Sequence, residues 1–284
     1  MRHHHARGFT ALLALLLSAS LHAQGWLELP ASASDPGNTL VSTQTMRQGR
    51  RDIRSHTYRY SPQHRISLWV AYPLNAGLIG TGSRGDGWHP YGGIPSGLQP
   101  VLRKGFAYGS GYDRGHQIPS ADRLDRDAND ATFTYVNATP QRHDFNGGLW
   151  ADLEKLVRTW AKRSDTLYVV TGALPGKTTI ADNDGNPVNI PLAYWKAVLR
   201  RNTDRAGRTR WSMCAVCIAH SNNRPADLTW PQTLDYLSTF ALPVTELERI
   251  TGESLFHNLA GVTGEYTCRE LKEKDPRDEP WWWK

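Results

Sequence analysis

The chain has 284 residues, 39% apolar and 21% charged, with 11 Trp and 11 Tyr. That composition excludes a disordered or fibrous protein and supplies enough apolar mass for a sizeable core, in one large domain or two modest ones. The formal net charge of +6 is compatible with a polyanionic partner but does not demand one.

Only Phe9–Leu21 is apolar enough to interest a membrane. The run is short of the ~20 residues a spanning helix needs, so no membrane span is expected. Arg2 and Arg7 precede it and Ala23 follows it. A basic start, a short apolar run and a small residue at the cut predict a secretory signal peptide over residues 1–23. Ser20 would also serve as the cleavage position. The mature protein, residues 24–284, is then secreted or periplasmic. Losing Arg2 and Arg7 and no acid leaves a charge of +4.

After Pro30–Thr45, a stretch rich in Ser, Pro, Gly and Asn that reads as an irregular lead-in, arginines cluster at 47, 50, 51, 54, 59 and 65. This run and the one at Arg200, Arg201, Arg205, Arg208 and Arg210 either track a phosphate backbone or form solvated faces. Ile66–Tyr72 is rich in β-branched and aromatic residues and reads as a strand stopped by Pro73. Gly80–Pro100 reads as a long glycine-rich loop. From Asn146 a helix is predicted, because Leu149, Trp150, Leu153, Leu156, Val157 and Trp160 fall on one apolar stripe. Leu167–Gly172 is a second buried strand, Trp195–Leu199 with Arg210–His220 a hairpin, and Thr233–Phe240 and Val244–Ile250 two further helices. No internal repeat or composition break divides residues 24–284, which read as one mixed α/β domain.

The three cysteines are Cys214, Cys217 and Cys268, so at least one is unpaired within a monomer. Cys214 and Cys217 are three apart in a strand and face opposite sides, which argues against a shared metal. The expectation is a disulfide from one of them to Cys268, with the other a core thiol. Which one pairs is left open by the sequence.

Chemistry concentrates in Tyr112-Asp-Arg-Gly-His-Gln-Ile-Pro-Ser120. Asp113, Arg114 and His116 crowd together with no apolar periodicity to explain them, and Gly111 and Gly115 free the backbone around them. Phe133–Gln141 then leads into Asp144–Glu154, where Asn146, Trp150, Leu153 and Glu154 follow an Asn-x-x-x-Trp-x-x-Leu-Glu spacing. Together these segments resemble the sugar-non-specific DNA/RNA endonuclease family, which includes mitochondrial endonuclease G. The likeness runs from Leu68–Tyr72 and the Arg84 loop through Asp113–His116 and Asn146–Glu154 to Val169–Gly172 and Leu247–Gly252. The Trp281-Trp-Trp283 tail lies outside it. The resemblance implies the α+β class: a mixed, largely antiparallel sheet with flanking helices, containing a ββα-metal motif.

The residues fit that chemistry on their own terms. His116 suits the general base, since an unperturbed imidazole pKa of about 6.5 leaves a neutral fraction at pH 7. Asn146 offers a hard carbonyl oxygen suited to Mg²⁺, with Mn²⁺ as the alternative; one protein ligand means weak metal binding without nucleic acid. Glu154, eight residues on, lies ~12 Å away along an ideal helix. It either reaches a metal-held water, as the resemblance also implies, or pairs with Arg158 one turn later. Arg84 is either a clamp on the phosphoryl oxygens or a loop arginine in solvent. Arg114 is a second phosphate contact or a partner for Asp113. Asn137 is a substrate-side polar residue that orients the site, or a turn asparagine.

The resulting reading is a secreted, Mg²⁺-dependent endonuclease acting on DNA and RNA with little sequence preference; by resemblance it leaves 5′-phosphate ends. Contacts to phosphate carry no sequence information, and no base-reading motif is present. The alternatives are a catalytically silent nucleic-acid-binding module and a metal-dependent phosphodiesterase for small diesters.

Overall fold

The computed structural model describes residues 26–32, 39–103 and 111–284, and the expected signal peptide lies outside them. In chain order the strands begin with β1 (Ala31–Ser32), β2 (Leu40–Gln48), β3 (Arg51–Ser61) and β4 (Ile66–Leu74). A separate hairpin follows, β5 (Tyr112–His116) and β6 (Ala138–Arg142), and then β7 (Thr166–Leu174). The ribbon β8 (Thr178–Ala181) and β9 (Pro187–Ile190) precedes β10 (Ala193–Thr203) and β11 (Thr209–Ala219). β12 (Ala241–Leu242) and β13 (Glu253–Ser254) complete the set. Among the described residues, seven strands form one antiparallel sheet in the order β12-β11-β10-β7-β4-β3-β2.

Strand alternation explains why both faces are covered. On β11, Cys214, Val216 and Ile218 enter one apolar layer while Met213, Ala215 and Cys217 enter the other. The first layer receives the predicted stripe of Leu153, Leu156, Val157 and Trp160 from the helix Ala151–Lys162. The second receives Val244 and Leu247 from Val244–Thr251, and Cys268 and Leu271 from Glu265–Glu273. The fold is therefore α+β, with a largely antiparallel sheet and helices on both sides, as expected.

Three local readings change. Leu40–Thr45 is not irregular lead-in but the start of β2, an edge strand whose residues alternate between half-buried and exposed. Its pairing with β3, Leu40 opposite Tyr60, outweighs the turn-like composition. Pro73 does not stop β4; it sits near the strand end opposite Tyr168, where its carbonyl accepts a bond from Arg123 Nη2 at 2.8 Å. The expected disulfide is absent, since Cys214, Cys217 and Cys268 are all free thiols. Cys214 lies across the sheet from Cys268, whose Sγ is directed to the Phe256 carbonyl at 3.7 Å. Burial pushes all three thiols up.

The tail Pro280–Trp283 folds back onto the first layer. Trp282 is fully buried, its carbonyl accepts from Trp160 Nε1 at 2.8 Å, and the two rings meet edge to face at 4.7 Å. Arg200 stacks on Trp281 at 3.7 Å.

A buried histidine makes stability depend on pH. His56 is fully buried between the Ser55 hydroxyl, 2.9 Å from Nδ1, and the Tyr58 hydroxyl, 2.6 Å from Nε2. Burial first, then the charges of Arg123 and Arg54, hold its imidazole well below the ordinary range. A folded pKa below the unfolded one means that the unfolded chain takes up the proton first. Stability is thus intact above about pH 6.5 and falls by about 1.4 kcal/mol per pH unit below it, until the folded pKa is reached. Urea midpoints measured between pH 7.5 and 5 should fall in wild type and fall less in His56→Gln. An unchanged slope in the variant would rule this source out.

Candidate active site

The ββα unit that holds the site is built from β5, β6 and the helical segment that follows. Arg114 and His116 are two apart on β5 and so share a face, and both line one pocket. The motif is thus a strand, paired with β6 from Tyr112 opposite Arg142 to His116 opposite Ala138. Gly115 is required there by close approach: an added Cβ would lie 2.2 Å from the buried Gln141 side chain. The helix does not start ideally at Asn146. Phe145–Trp150 is a π-turn with Gly148 at φ −107°, ψ −108°, continued by the α-helix Ala151–Lys162.

One cavity of about 290 Å³ is lined by Arg84, Arg114, His116, Asn146, Glu154 and Arg158. Residues far apart in the chain and predicted to act together therefore meet. His116 is 8% exposed, packed between Trp88 and Phe133 with ring centroids at 4.7 and 4.9 Å. Its Nε2 is buried and has no hydrogen-bond partner among the described residues. Burial, then the charges of Arg84 and Arg114, pull its pKa down to about 3, so the imidazole is neutral and able to accept a proton.

Asp113 orients the amide. Asn146 Nδ2 donates to Asp113 Oδ2 at 2.9 Å, which fixes the amide orientation and leaves Oδ1 as the available ligand atom. Asp113 also meets His143 Nδ1 at 3.1 Å and holds that imidazole above its usual range. Among the described residues no three His, Cys, Asp or Glu side chains gather to cage a metal. The available donors are the neutral Asn146 oxygen and the Glu154 carboxylate. They fit a hard divalent cation that keeps most of its own water.

Arg84 is exposed and reaches this cavity from a pinned loop. A Cβ at Gly82 would lie 2.1 Å from the Leu124 carbonyl, and Gly85 N donates to Asn129 Oδ1 at 2.7 Å. Asn129 in turn bonds the Ser120 and Arg123 carbonyls at 2.9 and 2.7 Å. Arg114 does not serve as the partner of Asp113. Its guanidinium donates to the Arg103 carbonyl at 3.1 Å, sits 4.0 Å from Asp86, and lies over Trp88.

Asn137 departs from its substrate-side role. It is fully buried outside the cavity, with Nδ2 donating to the Ile118 and Thr132 carbonyls and Oδ1 accepting from Ile118 N. Both amide hydrogens and the amide oxygen are committed to backbone groups, so the side chain fixes the backbone just after His116.

Sequence reasoning missed Asp122 as a site-building group and underused Arg158. Asp122 is buried, accepts from Tyr72 Oη at 2.9 Å, and takes Arg158 Nη1 at 3.1 Å. Arg158 therefore reaches the cavity already anchored to Asp122. The only signal in the sequence was its place one turn after Glu154 on the same helix face.

The chain is similar to several named nucleases. A cyanobacterial nuclease from Nostoc is 33% identical over 202 residues, covering 71% of this chain and 70% of that protein. Nuclease C1 from Cunninghamella echinulata is 29% identical over 218 residues, covering 72% and 81%. Bovine mitochondrial endonuclease G is 28% identical over 228 residues, covering 74% and 70%. In fold, the chain is similar to a crystal structure of an EndoG/EndoGI complex, with a TM-score of 0.56 at 22% identity, over 75% of this chain and 86% of that one. A sequence profile described as DNA/RNA non-specific endonuclease matches residues 36–261. With that match across most of its length, the chain belongs to the DNA/RNA non-specific endonuclease family.

Proposed function

We propose that the chain is an exported endonuclease that uses Mg²⁺ to hydrolyse DNA and RNA phosphodiesters with little sequence preference, leaving 5′-phosphate ends. The observation that carries the reading is the meeting of His116, Asn146 and three arginines in one cavity. His116 Nε2, neutral and unpartnered, takes the proton of the attacking water. Arg84, Arg114 and Arg158 contact the phosphoryl oxygens and offset the charge that builds on them. Asn146 Oδ1, turned by Asp113, would hold the cation, with the Glu154 carboxylate of the same cavity within reach of the waters it keeps. When bound, the cation supplies Lewis-acid stabilisation of the phosphoryl and departing oxygens. No described helix is long and apolar enough to cross a membrane, and export rests on residues 1–23.

Purified protein should nick supercoiled plasmid and degrade RNA, lose both activities in EDTA, and regain them on adding Mg²⁺. Binding without cleavage at any Mg²⁺ concentration would instead mark a silent nucleic-acid-binding module. Cleavage confined to small diesters would mark a different phosphodiesterase.

A further inference from the structure

The loop that delivers Arg84 also carries an aromatic side chain against two other groups of the cavity. Trp88 is half-buried, and its ring centroid lies 4.7 Å from that of His116, the two planes tilted by 54°. The Arg114 guanidinium lies over the same indole, 5.4 Å from its centroid. One ring therefore touches both the imidazole and a guanidinium. Ring pairs at such spacings attract, and an indole face draws in a cation within about 6 Å through its quadrupole. The indole is itself anchored. It meets Phe133, the other wall of His116, edge to face at 5.3 Å. The next residue, His89, forms a short parallel bridge with Thr134: its N–H donates to the Phe133 carbonyl at 3.0 Å, and its carbonyl accepts from Tyr135 N at 2.9 Å. Asp86 of the same loop stands 4.0 Å from Arg114 Nη2.

We propose that Trp88 is a positioning residue: its indole is a shared platform that fixes the His116 imidazole and the Arg114 guanidinium relative to each other, so that both act on one phosphodiester. His116 and Arg114 share a face of β5, but a strand sets only where their side chains start. A flexible arginine and an imidazole with an open χ2 need a further surface to define where they end. Trp88 supplies it from a loop anchored to the segment around Phe133 and Thr134. A residue that merely filled space there would need only apolar volume. A platform needs a ring face, and leucine and phenylalanine at position 88 separate the two.

The inference rests on the nuclease reading, and its test separates the two. Trp88→Leu should lower kcat for plasmid cleavage about 10-fold, as expected for a reacting group let slip by less than about 1 Å. It should also raise KM about 2- to 5-fold, the size of one exposed cation–π contact. Trp88→Phe should restore both to within about 3-fold of wild type, because it keeps a ring face, though a weaker one. Should Trp88→Leu fold poorly by circular dichroism, Trp88→Met takes its place, filling the gap with a flexible chain and no ring. A second readout needs no cleavage. Burial first, then Arg84 from the loop and Arg114 from β5, hold the His116 imidazole at about 3, so its NMR signal in the metal-free wild type should not shift between pH 8 and 5. Trp88→Leu lets water reach one ring face, which brings the titration up into that window, and Trp88→Phe does not. If wild type cleaves nothing, the nuclease reading fails, and the titration alone tests whether the indole holds His116. Leucine and phenylalanine variants that behave alike, in cleavage or in titration, would overturn the proposal.

Discussion

Replacing His116 with alanine is expected to lower plasmid cleavage by at least ~10²-fold, the low end of what removing a general base costs. The loss should fall on kcat, because Nε2 has no hydrogen-bond partner among the described residues and the arginines proposed to grip phosphate remain. Truncation leaves a void between Trp88 and Phe133, so a modest fall in melting temperature is expected alongside. Circular dichroism and gel binding of an oligonucleotide at wild-type affinity would separate lost chemistry from lost structure. The acid limb should be distinctive too. With the free imidazole held near about 3 by burial, Arg84 and Arg114, His116 is already neutral throughout the range from pH 5 to 8. An acid limb of kcat/KM in that range, which reports groups of the free enzyme, therefore belongs to a group other than His116, and Glu154, pushed up to about 7 by burial, titrates there. Wild-type cleavage by His116→Ala would show that the base is misassigned.

A second large effect is expected at Asn146, and its direction distinguishes geometry from ligand chemistry. Asparagine to alanine removes the ligand oxygen and should cost at least ~10²-fold, the upper end of losses seen when only an outer partner of a metal ligand is removed. Aspartate would look like an improvement, since it offers a charged oxygen. Here it should also be poor. Asn146 Nδ2 is the donor that meets Asp113 Oδ2 at 2.9 Å; aspartate at 146 replaces that bond with two carboxylates in contact. One of them must then take up a proton or swing away. Cleavage measured against Mg²⁺ concentration should show Asn146→Asp needing more metal than wild type and reaching a lower plateau. Recovery when Asp113→Asn is added would tie the defect to that contact. An Asn146→Asp enzyme as active as wild type would overturn the assigned orientation of the amide.

What the sequence revealed, and what it hid, follows from the range of each signal. The stripe from Leu149 to Trp160 was legible because burial on one helix face imposes its own period, and all six residues are buried. β7, β10 and β11 were legible as apolar runs bounded by turn residues. The motif residues were legible because charged groups without periodicity stand out. Asn137 was misplaced because a polar residue near a motif gives no sign of whether its amide faces ligand or backbone. The helix Glu265–Glu273 escaped notice because it buries only Cys268 and Leu271 and is otherwise charged or exposed.

The tryptophan tail has a practical consequence. Trp160 stands six residues beyond Glu154 on the same helix, and its indole is capped by the backbone of Trp282. The profile match ends at residue 261, before that cap and before the helix that brings Leu271 into the second layer. Cutting an expression fragment at the edge of recognisable similarity would strip two hydrophobic surfaces at once and loosen the scaffold under the carboxylate. The piece that evolution makes easy to recognise is smaller than the piece that can stand alone.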